Sequence, residues 1–295
     1  MKRTFAFMAC VVALSSCHAQ DNIIADGAEL ALVAEDFKFT EGPALAPNGD
    51  VYFTDQPNDR ILKWDARTNV VDTYLQPAGR SNGLYFDHDG NLLSCADEKN
   101  ELWRIGPGKK VTVLVQDFKD RKLNGPNDLW VNPQGGIYFT DPFYKRPWWD
   151  HNVPQQEGKR VYYLNSETGQ VHIVAQDFVQ PNGIIGTPNG KTLYVADIGD
   201  KKTYAYKIGK DGALKKRTLF VAMGSDGMTL DHKGNVYLTG DGVTVCNKKG
   251  KKILHIPVPE KWTANVTFGG PDQDILFITA MDAIYTLKMA VHGVR

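Results

Sequence analysis

An all-β fold, a six-bladed β-propeller, is what this sequence predicts. Three observations predict it: a hairpin motif that occurs six times, a repeat of about the length of a propeller blade, and a strand-like stretch ahead of the first copy that can close the ring. The fullest copy runs from Asn124 to Asp141. A turn delivers Asn127 and Asp128, an apolar strand follows from Leu129 to Val131, an Asn-Pro-Gln-Gly-Gly turn reverses the chain, and a second strand runs from Ile137 to Thr140. Gly and Pro supply the turn, and Trp, Val, Ile, Tyr and Phe supply a pleated, buried surface. Counting this copy from Asp128, the others open at residues 42, 83, 183, 227 and 266, so successive copies lie 39 to 55 residues apart. A hairpin with further strands in each such unit is the pattern of a blade.

The chain starts with Met1-Lys-Arg and an apolar run from Phe5 to Leu14. This run is shorter than the ~20 residues a permanent membrane span needs and reads as an export signal over residues 1–19. Leu14-Ser-Ser-Cys17 has the form of a lipobox, in which Cys17 would carry lipid; the competing reading is simple cleavage after Ala19. Either places the mature protein outside the cytoplasm, in a bacterial periplasm or as an outer-membrane lipoprotein. Residues 20–295 then form a single propeller domain, since a repeated fold builds one core interface per blade pair. Within it, residues 29–39 are expected to pair as a strand beside Ala283–Met289, leaving the ring no open edge. Further strands are expected at Arg60–Trp64, Glu101–Ile105, Val161–Leu164 and Thr203–Ile208. The longest departure from the period is an aromatic insertion, Phe143 to His151. Cys95 and Cys246 fall in units on opposite sides of the ring, too far apart for a disulfide, and read as buried core residues. With 34 basic and 34 acidic residues the chain offers no basic face for nucleic acid. A monomer is expected.

Aligning the six copies on their first strand exposes one position. The residue ahead of that strand is Glu41, Asn82, Asn127, Asn182, Asp226 and Asn265 in turn. Inner strands of a propeller run the same way along the central channel, so these side chains form a ring at one opening. Asn-Gly and Asp-Gly also form ordinary turns, but Glu41 is a poor turn residue with no reason to face a channel unless a cation is there. Six oxygen donors without Cys or His suit a hard divalent cation. Ca²⁺ leads because it accepts many oxygens, carboxamides included; Mg²⁺ or Mn²⁺ would demand a tighter octahedron, and Zn²⁺ is the least suited.

These motifs carry a resemblance. Glu41-Gly-Pro, Pro126-Asn-Asp128, Tyr138-Phe-Thr-Asp-Pro142, Pro181-Asn-Gly183, Ser225-Asp-Gly-Met228 and Phe268-Gly-Gly-Pro271 stand in the order found in the senescence-marker-protein, regucalcin and gluconolactonase family of six-bladed propellers, which the sequence resembles. The resemblance implies a divalent-metal lactone hydrolase acting on a sugar lactone. It implies metal ligands at Glu41, Asn182 and Asp226, with Asn127 joining the metal or touching the substrate. It gives the acid/base role to Asp226, or to Asp128 as in some bacterial lactonases. One departure stands out: the arginine that mammalian-type members carry two residues before the Asn-Asp pair is Gly125 here. Tyr144, Trp148 and Trp149 of the insertion are the candidates to stack on a sugar in its place, with Arg146 or His151 adding polar contacts. Packing of the two tryptophans onto their own blade is the alternative.

On this reading the metal polarises the lactone carbonyl and an aspartate activates water. No Gly-x-Ser-x-Gly elbow is present, which favours attack by water over an acyl-enzyme. Asp55, Asp141 and Asp197, which close second strands, read as turn and interblade hydrogen-bonding residues. Two rivals remain: an aryl-ester or phosphotriester hydrolase on the same metal site, and a non-enzymatic binding propeller with a structural cation.

Overall fold

A computed structural model describes residues 22–294; the export signal and Cys17 lie outside the described residues. Six four-stranded sheets make up the molecule, each antiparallel and, in five of them, running from inner to outer strand in chain order. The inner strands are Thr40–Leu45, Ser81–Phe86, Leu129–Val131, Pro181–Gly186, Met228–Leu230 and Thr263–Gly269, in blades 1 to 6. Each touches the next, and the sixth touches the first, so the ring is closed. Blade 6 takes its outermost strand from the start of the chain: Ala31–Ala34 pairs antiparallel with Ala283–Lys288, Leu32 opposite Tyr285. The closing strand is shorter than the stretch 29–39 expected. Its register breaks between Leu32 and Ala34, and Asp36 at φ 73° turns the chain away.

The four further segments expected from sequence are all third strands, at Arg60–Asp65, Glu101–Ile105, Arg160–Leu164 and Lys202–Ile208. Fourth strands such as Val70–Leu75 and Leu214–Val221 lie largely exposed on the rim. Having no buried face, they lack the apolar alternation that marks a strand.

Apolar side chains gather into six clusters, and each sits in the seam between two blades. Leu93, Cys95 and Leu102 of blade 2, for example, meet Leu129, Phe139 and Tyr162 of blade 3. Val51, Phe53 and Trp64 of blade 1 meet Phe277 and Ile284 of blade 6 across the closing seam. A sheet with both faces covered in this way reads as nearly continuous apolar sequence, as Val236–Gly240 and Ile137–Asp141 do. Cys95 and Cys246 are both buried and free.

Candidate metal centre and active site

The inner strands break their ladder where the ring residues stand. Pairing with the second strand slips between Glu41 and Ala44 in blade 1, between Ser81 and Leu84 in blade 2, and between Pro181 and Ile184 in blade 4. In blade 6 it slips between Thr263 and Asn265. In blades 3 and 5 the strand begins only after Asn127-Asp128 and Asp226. A break of this kind re-aims a side chain that regular pleating would direct into a seam. Glycine follows the ring residue in four blades, and a Cβ on Gly42, Gly83, Gly183 or Gly227 would collide with the ring residue of the next inner strand. The six strands therefore close to a waist at this level. Five of the six ring residues are buried, and Asp226 is half-buried.

Within the waist the side chains form two hydrogen-bonded groups. Asn182 Nδ2 donates to Asp226 Oδ1 at 2.6 Å and to the Tyr144 hydroxyl at 2.8 Å. Asp226 Oδ2 accepts the indole N–H of Trp262 at 2.6 Å. In the second group Glu41 Oε2 accepts Asn265 Nδ2 at 3.1 Å and the N–H of Gly42. Two amide oxygens, Asn82 Oδ1 and Asn182 Oδ1, are buried with no hydrogen-bond partner. Each such orphan costs about 1–3 kcal/mol unless something positive meets it.

Electrostatics point the same way. Glu41 is pushed well above the usual carboxylate range by burial, reinforced by Asp226 and Asp128. Burial also pushes Asp226 up to about 6, against the hydrogen bonds from Trp262 and Asn182. Two buried carboxylates, Glu41 and Asp128, that the charge of Asp226 pushes further up, beside orphaned amide oxygens, fit a hard cation. Among the described residues no group of three or more His, Cys, Asp or Glu side chains converges, so the donors on offer are carboxylates eked out by amides. That set suits Ca²⁺ and gives a soft metal little to hold.

Asp128 stands one residue deeper than the ring. Its Oδ1 accepts the N–H of Leu129 at 2.9 Å and its Oδ2 that of Ile184 at 3.4 Å, and burial pushes it up to about 7. Below the waist the channel widens into a cavity of about 500 Å³, with Asp128 and Asn265 in its wall among Leu84, Leu129, Ile184 and Phe268. None of the insertion lines that cavity.

The insertion covers the other side. Tyr144 reaches Asn182, as above, and burial pushes its phenol up to about 12. Trp148 is half-buried between Arg80 and Arg146, whose guanidinium carbons lie 4.6 and 5.6 Å from its ring, and its indole N–H is buried without a partner. Trp149 turns inward: its N–H donates to the Asp97 carbonyl at 2.6 Å, and its ring stacks on His151 at 4.9 Å. Arg146 Nε meets Asp97 Oδ2 at 2.7 Å. His151 bonds the exposed Asp150.

Asp97 and Trp262 were not singled out by the sequence. Asp97 lies just past the end of its second strand, where Asp55, Asp141 and Asp197 end theirs, and that alignment was the available signal. Trp262 lies 36 residues from Asp226, with nothing local to mark it. Asp55, Asp141 and Asp197 do not bridge blades as expected. Each accepts backbone N–H groups from the loop leading into its own blade's inner strand: Lys38 and Phe39, Asn124 and Gly125, Val179 and Gln180.

Comparison with known proteins agrees with this geometry. The chain is 25% identical to a gluconolactonase of Zymomonas mobilis over 92% of this chain and 85% of that one. It superposes on a solved gluconolactonase of Xanthomonas campestris with a TM-score of 0.85 and 28% identity, covering 92% of each. A calcium-binding regucalcin of Agrobacterium tumefaciens shares the fold at a TM-score of 0.75 and 20% identity, over 89% of this chain and 94% of that one. Residues 39–282 match the model of the SMP-30/Gluconolactonase/LRE-like region, and with six blades around a carboxylate and carboxamide waist the chain belongs to that family.

Proposed function

We propose that this protein is a divalent-cation-dependent lactonase of the gluconolactonase type, opening a sugar lactone to its hydroxy acid. The observation that carries the reading is the buried, partnerless Asn182 Oδ1 beside the paired carboxylate of Asp226. Glu41, Asn127, Asn182 and Asp226 would hold the cation, Ca²⁺ by preference, and when bound it would supply a Lewis acid for the lactone carbonyl. Asp226 keeps lone pairs on both oxygens after accepting one hydrogen bond at each. It takes a proton from water as the water oxygen bonds to the carbonyl carbon. That proton then passes to the ring oxygen as the ring C–O bond breaks. Asp128 is the weaker candidate for this step, because its oxygens are turned to the N–H groups of Leu129 and Ile184 below the waist. Tyr144 and Trp148 would cover the sugar, whereas the indole N–H of Trp149 is spent on Asp97. Export, and lipid at Cys17, remain part of the proposal.

The test is a panel of sugar lactones, an aryl ester and a phosphotriester, assayed by acid release before and after chelation and after Ca²⁺ is restored. Lactone turnover that chelation abolishes and Ca²⁺ restores is the expected result. Glu41→Ala and Asp226→Ala should each lose Ca²⁺ binding and turnover together, at least 100-fold, since each removes a charged donor from a buried site. Asn182→Ala should lose less. Wild-type turnover by Glu41→Ala at limiting Ca²⁺ would overturn the assignment, and preferred turnover of the ester or phosphotriester would change the substrate class.

A further inference from the structure

Two side chains that reach the waist from outside the ring hydrogen-bond to the proposed ligands. Tyr144 belongs to the insertion of blade 3, and Trp262 to the loop that leads into blade 6; the ligands they touch, Asn182 and Asp226, belong to blades 4 and 5. An asparagine amide has two N–H groups and one oxygen, and nothing intrinsic fixes which way it faces. Here both N–H groups are spent, one on the Tyr144 hydroxyl and one on Asp226 Oδ1. The reversed amide would set its oxygen against the carboxylate oxygen of Asp226 and leave Tyr144 to reorganise. The oxygen is thereby held away from both partners, buried and unpaired. The carboxylate is fixed by the same logic: Asn182 holds Oδ1 and the Trp262 indole holds Oδ2, both at 2.6 Å. Neither carboxylate oxygen can swing without giving up one of these bonds.

We propose, resting on the cation reading of the waist, that Tyr144 and Trp262 are positioning residues whose polar hydrogen-bonding groups orient the donor oxygens of Asn182 and Asp226 and so set the cation affinity. Tyr144 then acts through its hydroxyl toward a ligand, and its ring need not be its contribution to substrate binding. Groups that orient metal ligands in this way commonly change metal affinity 10- to 100-fold.

Tyr144→Phe and Trp262→Phe keep an aromatic ring while deleting the hydroxyl and the indole N–H. Calorimetric titration of the purified, chelated protein with Ca²⁺, and then with Mg²⁺ and Mn²⁺, reads the effect without any substrate. Each variant should raise the Kd for Ca²⁺ about 10-fold or more. The double variant should fall short of the product of the two, because both act through the Asn182–Asp226 bond. Melting curves without divalent cation are the fold control, and since the two residues lie on different loops, loss of fold in one variant leaves the other to decide. If Tyr144 serves the substrate alone, Tyr144→Phe raises KM for the lactone and leaves the Kd for Ca²⁺ within twofold of the parent; with the same result for Trp262→Phe, the proposal fails while the cation reading stands. A parent protein that takes up none of the three cations overturns both.

Discussion

Gly125 is a position where one missing side chain determines what surrounds it. Its φ of +132° is accessible chiefly to glycine, and a Cβ there would lie 2.8 Å from the Trp149 ring and 2.9 Å from Asp97 Oδ1. An arginine at this place, as mammalian-type relatives are expected to carry, would evict both. The guanidinium near the mouth comes instead from the insertion, where Arg146 lies 2.7 Å from the buried Asp97 carboxylate. Burial pushes Asp97 up to about 6, while Arg146 pulls it back. Arg146→Ala should leave a buried carboxylate without its cationic partner, with only the Gln56 amide on its Oδ2 at 2.9 Å, and cost about 3 kcal/mol at high pH. The sign with pH follows from proton binding. A carboxylate whose folded pKa is raised holds a proton that the unfolded chain has already released, so stability falls as pH rises from its unfolded value of about 4 through the folded one. The deficit of Arg146→Ala against the parent should therefore be small at pH 5 and still be growing at pH 8. Melting both proteins across that range checks it; a pH-independent deficit would mean that the loss is one of packing around Trp148 and Trp149.

The loops that lead into the inner strands follow one design in three blades. Each carries N–H groups bonded to the aspartate that ends the second strand of the same blade, and each delivers a proposed ligand two residues after the last of them: Glu41, Asn127 and Asn182 after Asp55, Asp141 and Asp197 have gripped Phe39, Gly125 and Gln180. Blade 5 has Gly240 at that place, and Ser225 takes over, accepting the Thr239 N–H at 2.7 Å and donating to the Gly227 carbonyl at 2.6 Å. Asp141→Ala should strand the N–H groups of Asn124 and Gly125, both buried, at a cost of about 2–4 kcal/mol. It should also weaken Ca²⁺ binding by loosening Asn127, whereas Asp141→Asn, which keeps an acceptor, should recover part of each; melting curves and cation titration read the two effects. Much of this was legible in the chain. The hairpin repeat marks the blades because turn glycines and short apolar strand runs are local signals, and the ring shows in an alignment of the chain with itself. What could not be read was which partners a side chain meets from another blade. Trp262 on Asp226 and Tyr144 on Asn182 are contacts between units, fixed only when the ring closes, and no local pattern encodes them. The same limit made Asp55, Asp141 and Asp197 read as interblade residues when their partners lie within 17 or 18 residues of sequence.

At the scale of the whole molecule the ring is a closed circuit of six seams, and the seam between blades 6 and 1 is where its two ends meet. The outermost strand of blade 6 comes from the start of the chain and is only four residues long, so the pairing alone is a modest clasp. The apolar seam does more: Phe277 is fully buried, its ring 5.6 Å from Phe53 and 5.3 Å from Trp64 across the junction. Hydrogen bonds reinforce it, with Thr40 Oγ1 donating to the carbonyl of Ala283 at 2.9 Å. This seam also positions a proposed ligand, because Glu41 of blade 1 takes the Asn265 amide of blade 6 at 3.1 Å. Phe277→Ala should cost about 3–5 kcal/mol through the cavity it leaves. Leu102→Ala, a fully buried side chain in the seam between blades 2 and 3, should cost about 2–5 kcal/mol but flanks only carboxamides of the ring, Asn82 and Asn127. If closure at the sixth seam holds Glu41 in the ring, Phe277→Ala should weaken Ca²⁺ binding markedly more than Leu102→Ala at matched loss of stability. Equal affinities in the two variants would show instead that the waist keeps its geometry by its own hydrogen bonds, independent of the seam that closes the circle.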